Sequence, residues 1–341
     1  GADPYRAKSA RGETGHIHRY TVPGDAPVVK VTVAEADRMT PDITRYTFTA
    51  PDGAPLPEWT AGAHLDVLVT PEYLRQYSMS GDPSDRGRYE IGVLREDAGR
   101  GGSAMLHRIF TPGRRVFISK PINHFGLIED AEKTFLMGGG IGVTPMIAFA
   151  HRLHALGRDF ALHYSCAIRT AAGYLDTLAN APWADRVHLH FSDEGTRADL
   201  SAILAGYRPG WHVYTCGPDR YMDAVIDAAT EAGFPEDARH LEYFSVPEEP
   251  EYENHPFILR LNDGRQIDVA ADQSATDALA EAGIHVDVKC SDGLCGVCKC
   301  GVLSGAVEHR DFVLSAAQRK DAMILCKSRA AEPGGVIELD L

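Results

Sequence analysis

Hydrophobic and polar positions alternate with a period near two in a series of short segments beginning at Val28: VVKVTVAEA, ITRYTFTA, HLDVLVT, RQYSMS, YEIGVLRE and RRVFISK. Successive side chains of an extended chain point to opposite faces, so this alternation predicts half-buried strands, and the Pro and Gly between them predict turns. Short strands spaced in this way over residues 28–127 predict a small antiparallel β-barrel.

Over residues 128–246 the texture changes. The apolar strands TFLM, FALHYS, VHLHFS, HVYTC and HLEYF alternate with helical segments, which predicts an α/β domain with a doubly wound parallel sheet. The segment PEEPEYENHP, residues 247–256, carries four glutamates and three prolines and reads as a linker. Beyond it, FILRL and RQIDVA flank Asn262-Asp263-Gly264, a hairpin signal, and an amphipathic helix over Ala275 to Ala282 ends at Gly283. Residues 257–341 are therefore expected to form a short β-rich domain with one helix. Residues 1–27 are polar, without an apolar period, and read as an extension or linker.

Two glycine-rich loops fall at strand-to-helix junctions. Gly138-Gly139-Gly140-Ile141-Gly142-Val143-Thr144-Pro145 follows TFLM and opens a helix with Met146, Phe149, Ala150 and Leu153 on one face. Thr144 suits an N-cap and Pro145 the first turn. Bare backbone N–H groups and the helix dipole would receive phosphates there, which points to a dinucleotide. Val143 stands where a dinucleotide fingerprint has its third glycine, and no acidic residue ends the next strand. Gly99-Arg100-Gly101-Gly102-Ser103 precedes the helical MLHRIF and suits a single phosphate. Upstream, Arg75, Tyr77 and Ser78 could present a charge, a ring and a hydroxyl to one flavin.

The most specific chemistry lies near the end of the chain. Cys290, Cys295 and Cys298 sit in KCSDGLCGVCKC, and Cys326 follows 28 positions later. C-x4-C-x2-C with a distant fourth cysteine is the ligand spacing of a plant-type [2Fe–2S] cluster. Gly293 and Gly296 would let the loop wrap tightly and turn its N–H groups toward the sulfurs. A structural zinc cage usually draws on two short-spaced pairs, and no second pair accompanies Cys326. Cys300, two residues past Cys298, is expected to be buried as a small apolar side chain on a strand. Cys166 and Cys216 stand alone.

Composition narrows the setting. Seven cysteines, four of them committed to a cluster, do not form a disulfide framework, and a reducing, cytoplasmic location is expected. No apolar run is long enough for a signal peptide or a membrane span. With 34 basic against 48 acidic residues the formal charge is −14, which argues against nucleic acid. None of the 15 histidines falls in a ligand spacing.

Taken together, RQYS, GRGGS, GGGIGVTPM, the Cys216-Gly217-Pro218 turn, the HLEYF strand and the cysteine loop resemble the phthalate dioxygenase reductase family over residues 28–341. The resemblance implies a flavin barrel, a nicotinamide domain and a β-grasp-like ferredoxin domain, in that order. It implies FMN rather than FAD, lined by Arg75, Gln76, Tyr77, Ser78, Gly92 and Val93, with the phosphate on Arg100, Gly101, Gly102 and Ser103. NADH would lie across Gly139, Gly140, Gly142, Thr144 and Pro145, with Thr144, Cys216, Gly217 and Pro218 near the nicotinamide. Phe244 would lie against the flavin ring. Hydride transfer needs no nucleophile, so Cys216 is expected to be a small polarisable contact.

The implied activity is an oxidoreductase passing electrons from NADH through FMN and the [2Fe–2S] cluster to a terminal oxygenase, Rieske-type or P450, that acts on a small aromatic substrate. Ser165 and Arg169 leave room for a 2′-phosphate and hence for NADPH. The oxygenase is a separate protein or, in the alternative, a P450 fused to this chain; neither membrane nor nucleic acid is an expected partner. It would dock beside Ser291 to Leu294, the thin wall over the irons. A non-catalytic zinc protein is the contrasting class and would not oxidise NADH.

Overall fold

The computed structural model describes residues 28–70, 73–96, 101–245 and 252–341. The expected extension over residues 1–27, the first half of the linker and Arg100 lie outside the described residues. The remainder divides into two compact units, one ending at Phe244 and the other beginning at Ser245.

In the first unit six strands form an antiparallel sheet: β1 (Val28–Arg38), β2 (Ile43–Thr49), β3 (His64–Thr70), β4 (Tyr73–Ser78), β5 (Tyr89–Leu94) and β6 (Arg115–Ser119), ordered β4-β3-β6-β1-β2-β5. The two edge strands approach each other through a bridge between Met79 and Ile91 and a bond from Ser80 N–H to the Glu90 carbonyl, so the sheet is a nearly closed barrel. Alternate residues Val31, Val33, Leu65, Val67, Ile91 and Val93 are fully buried inside it, as the period of two requires. Helix α1 (Gly102–Ile109) follows β5.

Five parallel strands come next: β7 (Lys133–Gly139), β8 (Phe160–Cys166), β9 (Val187–Phe191), β10 (Trp211–Cys216) and β11 (Arg239–Glu242), ordered β11-β10-β7-β8-β9. Four helices connect them: α2 (Val143–Ala155), α3 (Leu175–Asn180), α4 (Leu200–Leu204) and α5 (Asp219–Glu231). Helix α2 buries Met146, Ile147, Phe149 and Leu153 in a core continuous with that of the barrel, while α5 buries Val225 and Ala229 with Phe135 and Val213 on the other sheet face. The barrel and the α2 face of this sheet therefore share one apolar interior, and the α5 face has its own.

The second unit holds β12 (Phe257–Arg260), β13 (Gln266–Val269), helix α6 (Ala275–Glu281), β14 (Lys299–Ser304), β15 (Val307–Glu308), β16 (Ala322–Ile324), β17 (Arg329–Ala330) and β18 (Val336–Leu339). The main sheet runs β13-β12-β18-β14-β16, and β15 pairs with β17. The hairpin turns at Gly264, whose φ is 84°. Ser274 caps α6 by accepting a bond from the Asp277 N–H, and the helix buries Ala275, Ala278 and Leu279 against the sheet. Among the described residues no helix is long and apolar enough to cross a membrane.

Candidate redox-cofactor sites

On β4, Tyr73, Arg75 and Tyr77 share one face and Gln76 and Ser78 the other. Helix α1 starts at Gly102 after Gly101, whose φ of 80° no side chain but glycine takes readily; Gly101 makes no side-chain cap bond. Among the described residues no side chain at the cap position satisfies the first-turn N–H groups. A Cβ built on Gly102 would stand 2.3 Å from Arg75 Nε and 2.6 Å from Cζ, so the guanidinium lies directly on the helix start. It also lies 5.1 Å from the Tyr73 ring centre. Ser103 Oγ accepts a bond from the Glu96 N–H at 3.1 Å. Guanidinium, bare helix N–H groups and glycines without side chains fit one phosphate, and the structure places Arg75 with this loop.

Gln76 Nε2 donates to His64 Nε2 at 3.1 Å. Val93 is wholly inside the core, its carbonyl bonded to His107 Nε2 at 3.0 Å. A Cβ on Gly92 would stand 2.6 Å from the Tyr174 hydroxyl and 3.0 Å from the Thr144 methyl. Gly92 thus lets the barrel close against α2.

The second glycine loop is built by three close approaches. A Cβ on Gly142 would stand 2.2 Å from the Cys216 carbonyl oxygen, one on Gly217 2.9 Å from Gly139 Cα, and one on Gly139 2.7 Å from the Tyr221 ring. Gly140 has φ 54°. The turns after β7 and β10 are therefore packed backbone on backbone, which only glycine at these positions allows. The expected N-cap role of Thr144 is corrected: Gly142 occupies that position, and Thr144 Oγ1 instead donates to the Ile141 carbonyl at 3.0 Å from inside the helix. A 3-10 turn over Gly140–Gly142 runs directly into the helix, which therefore begins at Val143, ahead of the expected cap. Pro145 stands in the first turn as expected. Cys216 is fully buried, and burial pushes its thiol well above the usual range, so it stays protonated. Pro218 precedes α5.

Glu242 is a residue that sequence reasoning passed over. It ends β11, and Ser78 Oγ donates to its Oε2 at 3.0 Å across the junction of barrel and parallel sheet. Burial pushes its carboxyl up to about 7, against the opposing pull of the Ser78 bond. Its signal was slight, a single acidic residue within HLEYF. Phe244, two residues on, is 43% exposed.

In the second unit the four cysteines converge. The thiol of Cys290 lies within hydrogen-bond reach of those of Cys295 and Cys326, and that of Cys298 within reach of Cys326, all four being free cysteines. Ser291, Gly293 and Gly296 have φ of 58°, 76° and 70°, which wraps the loop. The wrap turns N–H groups inward: Asp292 N–H donates to Cys290 Sγ at 3.4 Å, Val297 N–H to Cys295 and Cys326 N–H to Cys298. Such donors favour thiolates, the form that ligates iron. Four converging sulfurs, inward N–H groups and no carboxylate among them fit an iron–sulfur cluster. Cys300 is buried in the domain core, its Sγ 3.8 Å from the Asp340 carbonyl oxygen.

Residues 259–331 match the model of the 2Fe-2S iron-sulfur cluster binding domain. A tert-butanol monooxygenase / tert-amyl alcohol desaturase reductase subunit of Aquincola tertiaricarbonis is 40% identical over 314 residues, 88% of this chain and 92% of its own. An intact type IV self-sufficient cytochrome P450 monooxygenase superposes with a TM-score of 0.85 at 37% identity, covering 95% of this chain. This chain spans only 43% of that longer protein. The solved phthalate dioxygenase reductase, described as a modular structure for electron transfer from pyridine nucleotides to [2Fe-2S], superposes with a TM-score of 0.67 at 34% identity over 94% of this chain and 100% of its own. The chain belongs to the phthalate dioxygenase reductase family.

Proposed function

We propose that this protein takes hydride from NADH onto FMN and passes single electrons through a [2Fe–2S] cluster to a terminal oxygenase acting on a small aromatic substrate. The convergence of Cys290, Cys295, Cys298 and Cys326 carries the reading, because four thiolates around a wrapped loop serve an electron carrier. Flavin supplies the conversion of a two-electron donor into one-electron steps, and the cluster accepts electrons one at a time.

The chain's own residues bind and orient. Arg75, Gly101, Gly102 and Ser103, with Arg100 from the undescribed stretch, would hold the FMN phosphate. Gln76, Tyr77, Ser78, Gly92, Val93 and Phe244 would border the ring, the half-exposed Phe244 offering an open aromatic face. Gly139, Gly140, Gly142, Thr144 and Pro145 would receive the dinucleotide, with Cys216, Gly217 and Pro218 at its nicotinamide end. Glu242 can keep a proton near neutral pH and share it with the Ser78 hydroxyl, which suits a ring that takes up a proton on reduction. The inward N–H groups of the cysteine loop would stabilise the cluster's negative charge. The barrel, nicotinamide and ferredoxin domains are proposed to span residues 28–127, 128–246 and 257–341.

The test is the visible spectrum of purified protein before and after anaerobic NADH, with iron, sulfide and flavin quantified. Flavin and iron–sulfur bands that bleach, with two irons and one FMN per chain, support the path. A colourless zinc protein overturns it. A second reading, the reductase part of a self-sufficient P450, is favoured by the superposition at TM-score 0.85. A haem domain in the same reading frame would establish it.

A further inference from the structure

At the carboxyl edge of the parallel sheet, Arg169 follows β8 and Glu194 follows β9, each in a short 3-10 turn. They form a two-pronged ion pair, Nε to Oε1 at 2.6 Å and Nη2 to Oε2 at 2.9 Å. The guanidinium also stacks on Phe191, 4.2 Å from the ring centre, and the Asp193 N–H donates to the Ala167 carbonyl at 3.1 Å. The arginine is thus held from below by an aromatic face and from the side by a carboxylate. Both side chains remain reachable from solvent, at 49% and 37% exposure.

The position of this pair gives it meaning. Gly139 of the glycine turn is in register with Ser165, and Cys166 with Phe191, so Arg169 and Glu194 stand next along the edge from the phosphate loop. In a doubly wound sheet a dinucleotide lies across the carboxyl ends, its pyrophosphate on the glycine turn and its adenosine ribose beside the following strand. There a carboxylate accepts a bond from a ribose 2′-hydroxyl, whereas an arginine pairs with a 2′-phosphate. This chain has no acidic residue at the end of β8; the carboxylate arrives from the neighbouring strand and already occupies the arginine.

Glu194 takes the Nε and Nη2 edge of the guanidinium, the fork best placed for a bidentate phosphate, and leaves only the outer Nη1 edge open. With Asp193 also beside Arg169, one positive charge faces two negative ones. A dianionic 2′-phosphate would have to displace Glu194 from that edge or take the outer edge beside it, and either way meets its negative charge, whereas a neutral hydroxyl meets no such repulsion.

We propose that Glu194 sets the choice of electron donor: by holding Arg169 it masks a latent site for an adenosine 2′-phosphate and selects NADH over NADPH. The proposal rests on the reading that the glycine turn receives a pyridine dinucleotide.

The experiment is calorimetric titration of the holoenzyme with 5′-ADP and with 2′,5′-ADP, for the wild type, Glu194→Gln and Glu194→Gln combined with Arg169→Ala. The wild type is expected to bind 5′-ADP more tightly. Glu194→Gln should move the ratio of the two dissociation constants about tenfold toward 2′,5′-ADP, the size of one charge-assisted contact, and removing Arg169 should cancel the gain. The ratio of kcat/KM for NADPH over NADH should move in the same direction. A wild type that prefers 2′,5′-ADP, or a ratio that stays within about twofold in Glu194→Gln, overturns the role of Glu194 while leaving the dinucleotide site standing. Failure of both ligands to bind, with no flavin bleaching by either nucleotide, overturns the dinucleotide reading and this proposal with it.

Discussion

The Ser78 hydroxyl donates to Glu242 over 3.0 Å, joining the last residue of β4 in the barrel to the last residue of β11 in the parallel sheet. Burial raises the Glu242 carboxyl to about 7, above its usual 4.5. An acid raised on folding binds its proton more tightly in the native state. Its contribution to stability is therefore complete below pH 4.5 and is lost as pH rises through about 7. Thermal melting of the wild type against Glu242→Gln across this window should show the difference: the wild type loses stability toward alkaline pH relative to the variant. A parallel pair of curves would show that folding does not raise the Glu242 carboxyl.

Histidines on the parallel sheet act in the opposite sense. His163 stacks on His188 with ring centres 4.5 Å apart, and burial, reinforced by the charges of His188 and His190, lowers it to about 3; His240 is lowered to about 4 by burial and His212. Both are held neutral in the fold. The stability they contribute is present above pH 6.5 and is lost as pH falls toward 4 and 3. His163→Asn should therefore melt with a shallower acid slope than the wild type between pH 6.5 and 5.

The contact of Arg75 with Gly102 makes a steric prediction. Gly102→Ala would place a methyl where the guanidinium lies, 2.3 Å from Nε, and must push the side chain off the helix start. One charge-assisted hydrogen bond is worth about 1.5–3 kcal/mol, so FMN affinity should fall roughly tenfold to a hundredfold. Fluorescence titration of the flavin-free protein would read the loss, and riboflavin, which has no phosphate, should lose far less.

The cysteines divide cleanly. Cys326→Ser should abolish or strongly deplete iron and sulfide while leaving bound flavin and its reduction by NADH. Cys300→Ala should keep two irons per chain and cost about 1 kcal/mol of stability, because Cys300 is 7% exposed and packs in the domain core. Iron analysis and thermal melting distinguish the two; iron loss in Cys300→Ala would reassign the ligand set.

Asp292 lies on the cluster loop, its N–H bonded to Cys290 Sγ. If the acceptor docks on this wall, Asp292→Lys should slow electron transfer to the physiological oxygenase severalfold at low salt while NADH-driven ferricyanide reduction by the flavin is maintained. Equal rates in both assays would place the docking surface elsewhere.

Features whose physics is local were legible along the chain. The cysteine spacing, the Asn262-Asp263-Gly264 hairpin, the helix ending before Gly283 and the alternation of the barrel strands each depend on residues a few positions apart, where backbone angles and side-chain period decide the outcome. The tertiary structure decided what depends on which elements become neighbours. Ser78 and Glu242 are 164 positions apart, Arg169 and Glu194 are 25, and Arg75 reaches Gly102 only because α1 packs beside β4. Strand order places those partners together, and no periodicity within a segment encodes it. The helix cap failed for a related reason: a turn of 3-10 geometry and the packing of Gly142 on the Cys216 carbonyl set where α2 begins, overriding the local preference of Thr144 for a cap.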